Sequence, residues 1–271
     1  KKPVIWAGMG VLLAGASAAL TEFAELTEIP VYTTMPGKSS IDERHPLALG
    51  GGSGATTLAA RQWLQESDVL FAVGSSMTRT GYGQPIPAGK LIIHNVGSLE
   101  DINKDFAADI ALPGDAKATL AAMIEEVKSQ LGENGRKGQT GVPGEMAKVK
   151  EQWMETWMPL LTDNEEPINP YRVIWELNQN LDLENSIVTH DAGAPRDMIM
   201  PFFTATVPHS YIGWGKSTHL GYGIPLMIGA KMANPDKFCL NFMGDGAFGM
   251  SGLDIETSAR TGVPITTIVL N

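Results

Sequence analysis

Cysteine is almost absent from this sequence, because Cys239 is the single thiol among 271 residues. One thiol excludes a disulfide framework and a zinc site built from several cysteines. Basic residues are also in deficit, since 20 lysines and arginines stand against 30 aspartates and glutamates, for a net charge of −10. An acidic chain without a basic cluster is a poor candidate for binding nucleic acid or an anionic membrane surface. We therefore expect a protein of the reducing cytoplasm, with neither nucleic acid nor membrane as a partner.

Long apolar runs are missing too, and none reaches the roughly 18 residues of a transmembrane helix. Lys1 and Lys2 precede an apolar run, but Pro3 and nearby glycines interrupt it, which predicts a strand there and not a signal peptide. Hydrophobic residues nevertheless make up 43% of the chain, enough to exclude global disorder. The chain begins and ends on a strand-like run, which we interpret as a piece of a longer protein.

Short apolar runs alternate with segments of helical periodicity in the first half of the chain. The predicted strands span 4–7, 29–34, 69–73 and 90–96, and the predicted helices span 14–26, 57–65 and 116–131. Asp115 is a plausible N-cap of the last of these helices. Such alternation predicts parallel strands joined by right-handed crossovers, that is, an open doubly wound sheet. We assign residues 1–131 to a Rossmann-like central domain.

A glycine-rich stretch then interrupts the alternation. Glycines cluster with Pro143 between residues 132 and 144, and a helix is predicted over 145–157, so we assign 132–168 to a linker. The alternation resumes from 169 to 271. There the predicted helices span 170–181, 220–232 and 254–261, and the predicted strands span 186–190, 238–243 and 264–270. The predicted fold class is α/β, with two doubly wound parallel-sheet domains.

Two glycine clusters in the first domain each have two interpretations. Gly8-x-Gly10 resembles half of a dinucleotide fingerprint, but the third glycine is out of place and no acidic residue ends the second strand. The other interpretation is a tight strand-to-helix turn. The run from Gly50 to Gly54 either lets backbone approach a flat or phosphorylated ligand or forms a flexible loop. A non-catalytic nucleotide- or CoA-binding α/β module is therefore an alternative function.

A third glycine turn, Gly244-Asp245-Gly246, follows an apolar strand, and ligands of open α/β sheets bind at the carboxyl ends of such strands. Its glycines would let backbone N–H groups approach a diphosphate, and Asp245 offers a hard oxygen ligand for Mg²⁺. A helix and a strand follow over 247–270. Asn271 then falls at the end of the neighbouring strand, where its amide oxygen could reach the same metal. This context is far more specific than a glycine turn alone.

The segment 244–271 resembles the diphosphate and magnesium motif of thiamine-diphosphate-dependent enzymes. Further likeness to the acetolactate synthase, pyruvate oxidase and 2-oxo acid decarboxylase group lies in segments 31–38, 45–47, 72–74, 114–117, 221–225 and 228–236. The resemblance implies thiamine diphosphate and Mg²⁺ as cofactors. It also implies a 2-oxo acid substrate that is decarboxylated or joined to a second carbonyl compound, with the thiazolium ring as the electron sink.

Within the motif, the resemblance assigns a role to each residue. Asp245 matches the aspartate that binds Mg²⁺, and Gly244, Gly246 and Ala247 match the backbone that holds the diphosphate. Asn271 matches the first of two asparagines, of which the second usually binds the metal. We therefore expect the cofactor domain, assigned to 169–271, to be truncated at its C-terminus.

Outside the motif, the resemblance singles out two further segments. Asp191 to Gly193 match a turn that faces the phosphates. Leu220 matches the apolar residue that props the cofactor into its bent form, and Thr218 matches the carbonyl that accepts from the pyrimidine amino group. His219, in the same turn, is a candidate for lining the active site. Arg196 replaces a polar pair of the synthases, as a phosphate donor or as a solvated surface residue.

The resemblance also implies parts that this sequence does not contain. The family's N-terminal pyrimidine-binding domain carries the glutamate that activates the cofactor, so the catalytic residue is unknown and the fragment alone is expected to be inactive. The family assembles as homodimers or homotetramers. Members that bind FAD have an arginine where this chain has Ser75 and Ser76, so we do not expect FAD.

Overall fold

The computed structural model describes residues 2–214 and 219–271, and it contains two parallel sheets. The strands are β1 (Pro3–Ala7), β2 (Val31–Thr34), β3 (Ala48–Gly52), β4 (Val69–Val73), β5 (Leu91–Val96), β6 (Ile110–Pro113), β7 (Ser186–His190), β8 (Tyr211–Ile212), β9 (Phe238–Gly244) and β10 (Thr266–Leu270). The first sheet has the order β3-β2-β1-β4-β5-β6, and the second has the order β10-β9-β7-β8. The predicted α/β fold class is confirmed.

Helices connect the strands of both sheets. They are α1 (Met9–Leu13), α2 (Ser17–Thr27), α3 (Leu58–Glu66), α4 (Ala116–Leu131), α5 (Val142–Leu161), α6 (Pro170–Asn180), α7 (Ala194–Ile199), α8 (Gly223–Ala233), α9 (Asp245–Ser251) and α10 (Asp254–Thr261). Helix α4 has the predicted bounds, and the Asp115 carboxylate caps it by accepting from Ala118 N–H at 2.9 Å. Within the described ranges, none of these helices is both long enough and apolar enough to cross a membrane.

Strand β1 is the centre of the first sheet. Its residues Val4, Ile5 and Ala7 are completely buried. Ile5 pairs with Val31 on β2 and with Phe71 on β4. A parallel strand covered on both faces is apolar without alternation, which is why this run was recognisable in the sequence.

The first predicted helix, 14–26, is wrong at its start, because α2 begins only at Ser17 and a separate short helix, which was not predicted, precedes it. Helix α1 starts earlier, at Met9, and ends before Gly15, which has a left-handed φ of +58°. Helix α2 then starts at Ser17. Glycine adopts this conformation without a steric penalty, so Gly15 ends the turn between α1 and α2 and delays the start of α2.

Strand β3 corrects the interpretation of residues 50–52 as a flexible loop, because they form the edge of the first sheet beside β2. An ideal Cβ on Gly52 would lie only 2.0 Å from the Tyr32 hydroxyl oxygen. Glycine therefore lets the Tyr32 ring pack on the edge strand and stack on Trp6, with ring centroids 4.4 Å apart. Strand β6, at the opposite edge, was also missed.

The linker contains a longer helix than predicted, since α5 runs over 142–161 and not 145–157. The Glu28 carboxylate holds the chain just before this helix. It accepts from Gly138 N–H at 2.7 Å and from Thr140 N–H at 2.8 Å. Helix α5 packs between α3 of the first unit and α6 of the second. The glycine-rich stretch is thus anchored to the first unit and leads into a structural helix.

A buried ion pair joins the two units. Lys38 donates to both carboxylate oxygens of Glu43, at 2.6 and 2.5 Å, and to Met200 O at 3.2 Å. Glu43 also accepts from Ala205 N–H at 2.8 Å. The two charged side chains are 1% and 8% exposed. All three Lys38 donors are therefore satisfied, as burial of an ammonium group requires.

Candidate functional site

The switch point of the second sheet lies between β7 and β9. From β7 the chain proceeds to β8 on one side and to β9 and β10 on the other. Ligands of open α/β sheets bind where the strand order reverses, outside the carboxyl ends of the strands. The segments that follow β7 and β9 begin at Asp191 and Asp245. The structure thus brings two of the predicted site segments to one sheet edge.

Asn271 reaches the same edge from β10. Strands β9 and β10 pair in parallel, and Leu270 is the register partner of Gly244. Asn271 directly follows Leu270, and Asp245 directly follows Gly244. The expected juxtaposition of an amide and a carboxylate at neighbouring strand ends is therefore present in the backbone.

Asp245 is exposed at the start of α9, and no hydrogen bond or ion pair engages its carboxylate among residues 2–214 and 219–271. Its two oxygens are available to an external cation. In the same described ranges, no three His, Cys, Asp or Glu side chains cluster as a metal site. The donors predicted here are a carboxylate, an amide and diphosphate oxygens, and Mg²⁺ accepts such a mixed oxygen set.

The glycines of this turn differ in what surrounds them. An ideal Cβ on Gly246 would meet no atom within 4 Å, whereas one on Gly244 would lie 3.7 Å from the Pro195 side chain. Ala247 is buried and packs with Ile224 and Met243. Internal packing therefore fixes Ala247 but leaves open space above Gly246, so a ligand could approach the backbone there closely.

Asp191 is completely buried, and its carboxylate holds backbone N–H groups. One oxygen accepts from Ala192 at 2.7 Å and from Gly221 at 3.1 Å, and the other accepts from Gly223 at 3.0 Å. These bonds tie the end of β7 to the segment before α8. Asp191 is thus a fixed anchor of the loop, a role that its sequence position did not reveal.

The anchored loop presents Leu220 and Tyr222 to solvent, each 46% exposed. Gly221 has a φ of +81°, and a Cβ there would lie 3.0 Å from Met250 Cβ on α9. His219 is exposed and lies 6.5 Å from the Tyr222 ring. The loop therefore lies against α9, beside the Asp245 turn. Thr218 lies outside the described residues.

Gly193, at the other end of the Asp191 turn, has a φ of +90° and precedes α7. His190, just before the turn, is fully buried between other aromatic rings. Trp214 stacks on it at 5.0 Å and donates from Nε1 to His190 O at 3.1 Å. Burial lowers the pKa of His190 to about 4, so the ring is neutral at pH 7. Its Nδ1 lies 3.2 Å from Asp191 O, while its buried Nε2 has no hydrogen-bond partner among the described residues.

Arg196 is buried, so the interpretation as a solvated surface residue is wrong. Its guanidinium donates to both Asp197 oxygens, at 3.0 and 2.9 Å, and lies 5.2 Å from the Tyr82 ring centroid. Ser53 Oγ donates to Asp197 at 2.6 Å. Burial raises the Asp197 pKa, but the bonds from Arg196 and Ser53 outweigh it and lower the pKa overall. This cluster joins the two units, and no local pattern in the sequence predicted it.

A cavity of about 760 Å³ occupies the switch point of the first sheet, where β1 and β4 end. Its lining includes Gly8, Gly10 and Gly74. An ideal Cβ on Gly8 would lie 2.4 Å from Gly74 O, so the first glycine cluster is required for a tight backbone crossing. Arg79 also lines the cavity, and its guanidinium lies 5.0 Å from the Phe106 ring centroid.

Comparison with protein-family models covers both units. Residues 1–123 match the central domain of thiamine pyrophosphate enzymes, and residues 191–271 match the C-terminal TPP binding domain of the same enzymes. Together with the two sheets and the carboxyl-edge site, these matches define the class. The chain belongs to the thiamine pyrophosphate enzyme family.

Within this family the chain is similar to acetolactate synthases. It is 31% identical to a probable acetolactate synthase large subunit of Methanococcus aeolicus and 32% identical to that of Methanocaldococcus jannaschii, over 100% of the chain and 46% of each relative. It is 27% identical to acetolactate synthase isozyme 3 large subunit of Escherichia coli, over 100% of the chain and 47% of that relative. The chain spans about half the length of the curated relatives it matches.

Proposed function

We propose that this chain forms the central and cofactor-binding parts of a thiamine-diphosphate- and Mg²⁺-dependent enzyme that decarboxylates a 2-oxo acid and transfers the remaining group. The relatives to which it is similar are named acetolactate synthases. The observation that carries the proposal is the Asp245 carboxylate, which has no partner among residues 2–214 and 219–271 and lies next to Asn271 at the carboxyl edge of the second sheet. We propose domain limits of 1–131 and 169–271, with 132–168 as the linker.

The residues present fit the diphosphate and its metal. Asp245 and Asn271 would hold Mg²⁺, and the backbone of Gly244, Gly246 and Ala247 would face the phosphates in the open space above Gly246. When bound, thiamine diphosphate supplies an electron sink for the decarboxylation. The metal and these N–H groups would balance the diphosphate charge, which the chain's own net negative charge cannot do.

The turn after β7 would position the cofactor from the other side. Asp191 fixes the backbone at Gly221 and Gly223, and this in turn fixes Leu220, which would support the bent cofactor. His219, Thr218 and the Gly193 turn complete the proposed binding residues. An apolar support restricts the ring without competing for its hydrogen bonds, and it excludes water from the reacting carbon.

A pyrimidine-binding domain with the catalytic glutamate would complete the site, within a homodimer or homotetramer in the cytoplasm. Two observations support this. The chain covers 46% of its relatives, and Leu220 and Tyr222 expose apolar surface next to the site, where a further domain could cover it. On this proposal the chain alone binds cofactor weakly and does not turn over a 2-oxo acid.

FAD is not part of the proposal. Arg79 lines the central cavity, and its side chain is already engaged: the guanidinium donates to Asp105 O at 3.4 Å and lies over the Phe106 ring, while the Arg79 backbone N–H donates to the Asp105 carboxylate at 2.7 Å. We expect a purified enzyme without flavin absorbance, and stoichiometric flavin would contradict this expectation. The alternative of a non-catalytic nucleotide- or CoA-binding module is less well supported, because it gives Asp245 no role.

The test is Mg²⁺-dependent binding of thiamine diphosphate to the complete polypeptide, measured by calorimetry. We expect Asp245→Ala to weaken binding at least tenfold, since it removes a charged metal ligand. Asp236→Asn is the matched control, because Asp236 is an exposed acid of the same unit just before the opposite end of β9. Unchanged binding in Asp245→Ala would refute the proposed metal site.

A further inference from the structure

A second cavity, of about 250 Å³, lies where the first unit, α5 and the second unit meet. Its lining includes Leu49 from β3, Lys150 and Trp153 from α5, and Phe202 from the segment after α7. The Trp153 and Phe202 rings are nearly parallel, with centroids 5.4 Å apart. The cavity is smaller than the pockets that hold drug-sized molecules, and its walls are largely apolar. It can take a compact ligand of amino-acid size.

The charge in this cavity is unbalanced. Glu43 and Lys150 both line it, but the Glu43 carboxylate already accepts twice from Lys38 and once from Ala205 N–H. Lys38 therefore neutralises Glu43, and the Lys150 ammonium is the surplus charge. A local positive charge is notable in a chain whose net charge is −10.

Lys150 is also under-bonded. Among the described residues its ammonium has one acceptor, His45 O, at a long 3.3 Å. Burial lowers the Lys150 pKa, and the nearby Glu43 carboxylate opposes that shift. A partly buried ammonium needs acceptors for its remaining N–H donors, and a carboxylate supplies two oxygens at once.

We propose that this junction cavity binds an apolar monocarboxylate of amino-acid size, with the carboxylate on Lys150 and the hydrocarbon part against Trp153 and Phe202. A single ammonium without a neighbouring arginine suits a monocarboxylate better than a phosphate, which is usually held by several donors. The site is separate from the Asp245 edge. Because its walls come from both units and from α5, an occupied cavity would favour the arrangement of the units described above.

The test uses this chain, with 4-methylpentanoate as the probe and 4-methylpentanamide as its uncharged counterpart, titrated by calorimetry. We expect saturable binding of the acid. The amide should bind at least about tenfold more weakly than the acid, because the charge-assisted bonds to Lys150 are lost. This comparison leaves the protein unchanged and does not depend on how any variant folds.

Lys150→Met should reproduce the loss, since methionine keeps most of the apolar stem but has no charge. Lys148→Met is the matched control on the same helix, because Lys148 is exposed and does not line the cavity. The proposal is overturned if the acid does not bind saturably, if acid and amide bind alike, or if folded Lys150→Met binds the acid as the unchanged protein does. None of these outcomes depends on thiamine diphosphate, so they are independent of the proposed function.

Discussion

The Asp191 anchor gives a sharp test of how the candidate site is held. Asp191→Asn keeps the size of the side chain but replaces one carboxylate oxygen with an NH₂ group. One oxygen can still accept from Ala192 and Gly221. The NH₂ group would then face Gly223 N–H, so that a donor meets a donor and the 3.0 Å bond is lost. If the amide were flipped, the NH₂ group would face the N–H groups of Ala192 and Gly221, and those two bonds would be lost instead.

The magnitude follows from the burial of this group. A hydrogen bond to a charged acceptor contributes about 1.5–3 kcal/mol, and leaving a buried N–H without an acceptor costs about as much as the bond. We therefore expect the loop 219–223 to open more easily by about 2 kcal/mol, which corresponds to roughly thirtyfold faster amide exchange. Cofactor binding should weaken as well, because Leu220 is no longer fixed.

Hydrogen exchange of the Gly221 and Gly223 amides is the decisive assay. Asp115→Asn is the matched control, because Asp115 also accepts a backbone N–H and asparagine caps a helix as well as aspartate. That control should leave stability and loop exchange unchanged. If Asp191→Asn exchanges at Gly221 and Gly223 as slowly as the unchanged protein, the carboxylate does not anchor the loop and our reasoning is wrong.

Three further predictions concern the buried polar groups and the glycines. Lys38→Met leaves the Glu43 charge buried without its partner, so urea unfolding should show a loss of about 3–5 kcal/mol; Lys104→Met, in an exposed pair with Asp101, should cost less than about 1 kcal/mol. His190 has a folded pKa of about 4 against 6.5 when unfolded, so the unfolded state gains the proton first as pH falls. Its contribution of about 3 kcal/mol should be complete above pH 6.5 and disappear towards pH 4, and His190→Gln should flatten that part of a stability–pH curve. Gly52→Ala should destabilise the protein by about 1–3 kcal/mol through its clash with Tyr32, whereas Gly246→Ala should leave the thermal midpoint unchanged or higher and weaken only the binding of thiamine diphosphate.

Local sequence signals were enough to predict the helices and strands whose stabilising residues lie within one segment. Helix α4 was predicted with its bounds because Asp115 supplies a cap and the apolar spacing continues for four turns. Strand β9 was recognisable because residues 239–243 are all buried and, apart from Asn241, apolar. The Gly244-Asp245-Gly246 turn and Asn271 could be placed at one edge from their spacing alone, since parallel strands carry their carboxyl ends together.

The features that could not be predicted from the sequence depend on contacts between residues that are distant in sequence. Strand β3 consists largely of glycine, a poor strand former, and its composition is explained by side chains that crowd it, Tyr32 at Gly52, Thr33 at Gly51 and Thr57 at Gly50. Arg196 looked like a surface residue because the groups that bury it, Asp197 with Ser53 and Tyr82, come partly from the other unit. The bonds from Gly221 and Gly223 to Asp191 span about 30 residues, and no periodicity predicts them.

The two sheets also show why a glycine turn needs its surroundings before it can be assigned a function. Both sheets have a glycine turn at their switch point, Gly8-x-Gly10 in the first and Gly244-Asp245-Gly246 in the second. In the first, a Cβ would collide with backbone at 2.4 Å, so internal packing alone accounts for the glycine. In the second, a Cβ on Gly246 would meet nothing, so the fold does not require glycine there. The backbone at Gly246 is therefore open to a ligand, whereas the first glycine turn is closed by its own packing, and the Asp245 carboxylate next to this open backbone is why we assign the diphosphate to the second sheet.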